Sequence, residues 1–211
     1  MRFIAGLLAA LVVSACSEPA PSYDDIARSY NMPLSIGPVC GNPDIYGIEM
    51  EDIGNGAGRG CGVDDPVKIF MVSGVALQNQ PSVNCETAQA LNSWVSEAAQ
   101  PVVEEDIGTR IESLKVIADY SCRTRNNQKG ARMSEHSRGN ALDIAALKLA
   151  DGTVLSVLND WRSEAHAGLM KALHASACGP FGTVLGPKSD RHHQDHFHFD
   201  VASYRSGPYC R

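Results

Sequence analysis

Apolar residues change their spacing several times along the chain, and each spacing predicts an element. Residues 3–13 are apolar throughout, preceded by Arg2 and closed by the small Ser14 and Ala15. A charged start, a short apolar stretch and a small-residue end predict a secretory signal peptide over residues 1–15 rather than a core helix. Ala88, Leu91, Val95 and Ala98 then recur at three- to four-residue intervals. They predict a helix over residues 86–100 that Pro101 stops. A second helix is predicted over 161–177, with Leu169, Leu173 and Ala177 on one face. The period shortens towards two in SLKVIADY (113–120), NALDIAAL (140–147) and HFHFDVA (196–202), which predicts strands. Asp151-Gly152 is a hairpin signal, with 153–158 as the return strand. Two helices, several antiparallel strands and no internal repeat give an α+β domain, with a small antiparallel sheet flanked by helices.

Composition narrows the functional classes. The chain has 211 residues, 44% hydrophobic and 20% charged, with a net charge of −6. That suffices for one main domain with a real core. The acidic balance argues against nucleic acid, whose phosphates call for clustered Lys and Arg. No uninterrupted apolar run reaches the ~18–20 residues of a bilayer-spanning helix. Residues 17–38 are polar and contain Pro, which suggests a tether, so the folded domain is expected over 39–211. The glycine-rich string at 54–62 has the look of a phosphate loop. No clear strand precedes it and no apolar helix follows, so it is read as a flexible, disulfide-tethered loop.

Seven cysteines add a compartment. Val13-Ser14-Ala15-Cys16 resembles the bacterial lipobox, which implies lipidation of Cys16 and membrane attachment through acyl chains alone. Ser17 follows where Asp would signal inner-membrane retention, so the outer membrane is the expected home. The other six cysteines, Cys40, Cys61, Cys85, Cys122, Cys178 and Cys210, are an even number in an exported chain and predict three disulfides. Sequence does not choose among the pairings. Sequential pairing is the expectation: Cys40 with Cys61, Cys85 with Cys122, and Cys178 with Cys210. No CxxC spacing occurs, which weakens a zinc–thiolate reading.

The reactive residues gather in two segments. Ser134–Asp143 (SEHSRGNALD) and His192–Asp200 (HHQDHFHFD) hold five of the seven histidines. On a strand, His196 and His198 share one face about 6.5–7 Å apart, while Phe197 and Phe199 face the core. Gly139 permits a tight turn returning His136 towards Asp143. His136, Asp143 and one or both of His196 and His198 are therefore candidates to converge on one metal ion. Two imidazoles and a carboxylate with an open position form a catalytic zinc ligand set. Asp200 is a candidate to orient an imidazole. His166 and His174, on the second predicted helix, are read as ordinary surface or core residues, and His192 and His193 as loop residues.

From about Cys40 to Arg211 the chain resembles the bacterial extensin-like C-terminal domain family. The carrying strings are Tyr120–Arg123, Ser134–His136, Asn140–Ile144, Phe181–Leu185 and Asp195–Asp200. More distantly, S-x-H-x-x-G-x-A-x-D and the terminal H-x-H are similar to zinc peptidases of the lysostaphin, D-alanyl-D-alanine peptidase and hedgehog group. That group includes the penicillin-insensitive murein endopeptidases. The distant resemblance implies a fold of that kind and Zn2+ held by His136, Asp143 and His198. His196 is expected as general base, because it shares a strand face with His198. Asp195 is the rival implied by related dipeptidases, provided the strand begins after it. Those dipeptidases also imply an oxyanion-stabilising role for Arg123.

Compartment and resemblance together predict a metallopeptidase acting on peptidoglycan stem peptides or cross-links, an endopeptidase more than a carboxypeptidase. It would be a lipid-anchored monomer in the bacterial periplasm. The competing class is a non-catalytic peptidoglycan-binding or envelope scaffold lipoprotein with a structural or vestigial zinc site.

Overall fold

The computed structural model describes residues 23–29, 36–54 and 60–211. The expected signal peptide, Cys16 and residues 55–59 of the glycine-rich loop lie outside them. Among the described residues no helix is long and apolar enough to cross a membrane.

Eleven strands form one sheet: β1 (Gly37–Val39), β2 (Asn42–Glu49), β3 (Val67–Val72), β4 (Val75–Gln78), β5 (Ser82–Val83), β6 (Ile111–Ala118), β7 (Ala141–Leu149), β8 (Val154–Ser156), β9 (Thr183–Leu185), β10 (Phe197–Asp200) and β11 (Tyr209–Cys210). The order is β1-β2-β3-β4-β6-β7-β10-β9-β11, with β5 beside β3 and β8 beside β7. Pairing is antiparallel except β4 with β6 and β9 with β11. The class is α+β, but the sheet is large and mixed, not small and antiparallel. The strands before residue 84 lack the expected alternation. VKIFMV of β3 is buried at five of its six positions and reads as one apolar run. NPDIYGIE of β2 carries Pro and Gly within it. β1 also places the edge of the sheet inside the span expected to be tether.

The parallel step from β4 to β6 needs a crossover. It is supplied by α2 (Cys85–Trp94), a π-helical turn (Val95–Ala99) and α3 (Gln100–Ile107). Asn84 caps α2 by accepting from Thr87 N–H at 2.8 Å. Pro101 does not stop this helix. The widened turn before it, with Gln100 N–H reaching back to Val95, leaves Pro in the first turn of α3, where a missing N–H costs least. Gly108, left-handed at φ 77°, ends the helix instead.

The second predicted helix starts late, as α5 (Ala167–Ser176), because residues 161–166 form turns. A single helical turn, α4 (Val157–Asp160), stands before the predicted span and cuts short the expected return strand. Asp160 and Ser163 bind the ring and backbone of His166 just before α5 and hold the break. A short helix, α1 (Tyr23–Ser29), lies near the N-terminus.

The helices cover one face of the sheet. Trp94 meets Phe199 edge-on at 5.2 Å, Phe181 stacks on Phe199 at 5.0 Å, and Trp161 meets Phe197 at 5.8 Å. Each such aromatic contributes roughly 1.5–3 kcal/mol by leaving water. With Phe197 and Phe199 anchored in this core, the alternate residues His198 and Asp200 face the opposite side.

Three disulfides brace the fold. Cys178–Cys210 is the expected pair, but the others are Cys40–Cys85 and Cys61–Cys122 rather than sequential ones. The β1–β2 hairpin is laid against the start of α2, where Gln89 donates to the Cys40 carbonyl at 2.9 Å. Cys61 is carried to the segment after β6, because Gly62 N–H donates to the Ser137 carbonyl. Neighbourhood across the fold, not along the chain, set these pairs.

Candidate metal centre

Antiparallel β7 and β10 place Ile144 opposite Phe197, Asp143 opposite His198 and Leu142 opposite Phe199. Directly opposed residues share a face, so the register that buries the phenylalanines brings Asp143 and His198 together. His136 arrives from a 3₁₀ turn, Glu135–Arg138, that ends at Gly139 with φ 67°. A Cβ at Gly139 would lie 2.9 Å from Val63 Cγ2 and 3.0 Å from the Asn84 nitrogen. The Gly139 carbonyl accepts from Asn84 N–H and the Thr87 hydroxyl. The turn carrying His136 is thereby fastened to the cap of α2.

The three side chains meet. Asp143 Oδ1 lies 2.9 Å from His198 Nδ1 and 3.3 Å from His136 Nε2, and the two nitrogens are 3.2 Å apart. All three residues are buried or nearly so, and they alone among the described residues form a candidate metal-binding group. A tetrahedral ion with bonds of about 2.0–2.1 Å holds its ligands about 3.3 Å apart, close to the sides of this triangle.

The outer hydrogen bonds set the inner chemistry. His136 Nδ1 donates to the Asp119 carbonyl at 2.7 Å, so a neutral ring turns the Nε2 lone pair inward. His198 Nε2 donates to Asp200 Oδ2 at 3.1 Å, which leaves Nδ1 for the centre. Asp200 is itself held by Ala202 N–H. Three electron-rich atoms thus converge with no donor of their own, an arrangement that a cation or a proton must satisfy. Without a cation the proton sits on His198. Burial opposes its charge, but hydrogen bonds to Asp143 and Asp200 outweigh burial and push its pKa up to about 9. Burial would raise the carboxyl of Asp143; its contacts with the His136 and His198 rings overcome that and hold it well below the usual range.

The centre opens into a cleft of about 470 Å3. His196 precedes β10 instead of lying in it, because the strand starts at Phe197. Its Nε2 still faces Asp143 Oδ2 at 3.6 Å, and its Nδ1 donates to Asp195 Oδ1 at 2.9 Å. Asp195 is exposed and reaches the cleft only through His196. Arg123 lines the cleft, and its carbonyl accepts from Ser134 N–H at 3.0 Å. Arg125 also lines it but is paired with Glu135 at 3.5 Å. His192 and His193 line the cleft as well, whereas His166 and His174 do not.

Two participants have no counterpart in the sequence reading. Asp190 accepts from His193 Nδ1 at 2.8 Å, and the D-x-x-H spacing was the available signal. Asp119 acts through a main-chain carbonyl, which no side-chain pattern marks.

The family model described as Extensin-like protein C-terminus matches residues 45–211. Neither a curated protein nor a solved structure matches the chain.

Proposed function

The chain belongs to the extensin-like C-terminal family, and from that premise we propose that it is a zinc-dependent peptidase of the bacterial cell wall. The carrying observation is the inward convergence of His136 Nε2, Asp143 Oδ1 and His198 Nδ1, each within 3.3 Å of the others. Two nitrogens and one oxygen suit Zn2+ better than Mg2+ or Ca2+, which take oxygen. A bound zinc ion supplies Lewis acidity to a peptide carbonyl or water.

The remaining work falls to the chain's own groups. The Asp119 carbonyl and Asp200 hold His136 and His198 in the ligating tautomer. His196 is the base: Asp195 keeps the proton on Nδ1, so Nε2 takes a proton from the attacking water and returns it to the departing amine. Arg123 supplies positive charge to the developing oxyanion. Asp195 acts as the positioning partner of His196 rather than as the base itself.

The substrate follows from compartment. Three disulfides fit an oxidising environment. With the lipobox-like Cys16 they support a periplasmic protein anchored by lipid, the outer membrane favoured. Peptidoglycan stem peptides and cross-links are the abundant amides there, and an open cleft suits cross-link cleavage by an endopeptidase. The kinship with the lysostaphin, D-alanyl-D-alanine peptidase and hedgehog group belongs to this proposal.

Purified sacculi incubated with the protein and separated by mass spectrometry test it. Wild type is expected to release muropeptides cut at peptide bonds, with His198→Ala inert. Identical profiles for wild type, variant and buffer would leave a non-catalytic envelope module instead.

A further inference from the structure

Between β6 and β7 the chain forms a strongly charged hairpin, of which the proposed reaction uses only Arg123. Residues 123–133 (RTRNNQKGARM) hold four cations, Arg123, Arg125, Lys129 and Arg132, and no acid stands between Asp119 and Glu135. The chain as a whole carries a net charge of −6. Thr124 pairs with Met133, and Arg125 N–H donates to the Arg132 carbonyl at 2.9 Å, so these two arginines stand opposite each other. Like charges opposed on paired segments are destabilising until a counter-charge arrives. Glu135 answers Arg125 alone, at 3.5 Å, and leaves it half exposed. Lys129 and Arg132 are exposed and make no side-chain hydrogen bond or ion pair among the described residues.

The hairpin is also one wall of the cleft, through Arg123, Arg125, Asn126 and Asn127. Asn126 and Asn127 are consecutive left-handed residues, with φ 54° and 55°, and neither is glycine. Such backbone costs free energy and gathers where a chain is shaped to hold a ligand. It is kept here by the Thr124 hydroxyl, which donates to the Gln128 carbonyl at 2.7 Å, and by the Cys61–Cys122 disulfide at the root of the hairpin.

We infer that this hairpin is the specificity lip of the cleft and binds a peptide through its free carboxylates, with Arg125, Lys129 and Arg132 supplying the counter-charge. That the bound peptide is the substrate rests on the function proposed above; the binding itself does not. A guanidinium takes a carboxylate through two parallel hydrogen bonds, and Arg125 offers that fork at the cleft wall. The acids deeper in the cleft are already engaged, Asp143 and Asp200 with His198 and Asp190 with His193. A peptide whose carboxyls are amidated keeps its size and backbone but loses the charge, so the lip discriminates against it.

The test is co-sedimentation of the full mature chain with sacculi, in zinc-containing low-salt buffer on ice. Native sacculi are compared with sacculi whose carboxyls have been converted to methylamides. Protein in the pellet reads binding, and muropeptides in the supernatant read cleavage. Exposed charge pairs contribute about 1.4–5-fold each. Half-saturation is therefore expected at a concentration about tenfold higher on the amidated sacculi, with the gap closing as added salt screens the charges. Arg125→Gln/Lys129→Gln/Arg132→Gln is expected to lose the preference while melting like wild type. Lys68→Gln/Lys115→Gln/Lys171→Gln removes as much charge from β3, β6 and α5 and is expected to keep it. Equal binding to both kinds of sacculi, a preference that survives in the hairpin variant, or one lost equally in the control variant overturns the inference. Preference without released muropeptides leaves the lip standing and overturns the peptidase.

Discussion

Asp200→Asn isolates the outer layer of the centre. Asp200 accepts twice, from His198 Nε2–H at 3.1 Å and from Ala202 N–H at 2.9 Å. An amide has one oxygen for two donors. If that oxygen stays on Ala202, the NH2 group faces His198 and drives the ring proton to Nδ1, where it blocks the ligating atom. If the oxygen turns to His198, the tautomer survives on a weaker acceptor and a backbone N–H goes unpaired, at about 1–3 kcal/mol of stability. Changes of this kind cost about 10–100-fold in metal affinity, or about 1.4–2.7 kcal/mol. Competition with a chromophoric chelator at neutral pH measures the loss. Asp195→Asn, which touches His196 and not a ligand of the centre, serves as control and is expected to stay within about twofold of wild type. An Asp200→Asn variant holding zinc as tightly as wild type would mean that Asp200 does not set the His198 tautomer.

The other expectations concern protons, backbone and core. With the His198 pKa at about 9 in the metal-free protein, a cation entering at neutral pH must expel about one proton. Affinity should therefore rise with pH up to about 9 and then level, and calorimetry in buffers of different ionisation enthalpy reads the proton directly. Burial pushes the ring of His174 below the ordinary imidazole value of 6.5, so unfolded chains bind that proton more readily than folded ones. Its contribution to stability is whole above that value and is lost as pH falls through it towards the folded pKa. Melts of metal-free wild type and His174→Phe should diverge on acidification, the variant losing less; parallel curves would contradict this. Gly139→Ala places a Cβ 2.9 Å from Val63 in a left-handed turn and should cost at least about 1–2 kcal/mol in chemical denaturation, with weakened zinc binding.

How much of this was legible in the chain depends on how local the signal is. HFHF announces its own two faces, and the same alternation that buries Phe197 and Phe199 puts His198 opposite Asp143. Gly139 marked the turn that returns His136. The Cys40–Cys85 and Cys61–Cys122 pairs were not legible, because they depend on where the β1–β2 hairpin and the residue 60–62 segment land. Pro101 misled because a π-helical turn absorbs it. His196 lies ahead of β10, a boundary set by pairing with β7 and not by the run HFHFDVA. The first half of the sheet stayed hidden because β3 is buried on both faces and β5 is two residues long.

Anomalous diffraction at the zinc edge, from crystals of protein never exposed to chelator, locates any ion held by the three side chains. A difference peak bonded to His136 Nε2, Asp143 Oδ1 and His198 Nδ1 is expected. A map with no peak there, in zinc-supplemented crystals with all three side chains ordered, would contradict it.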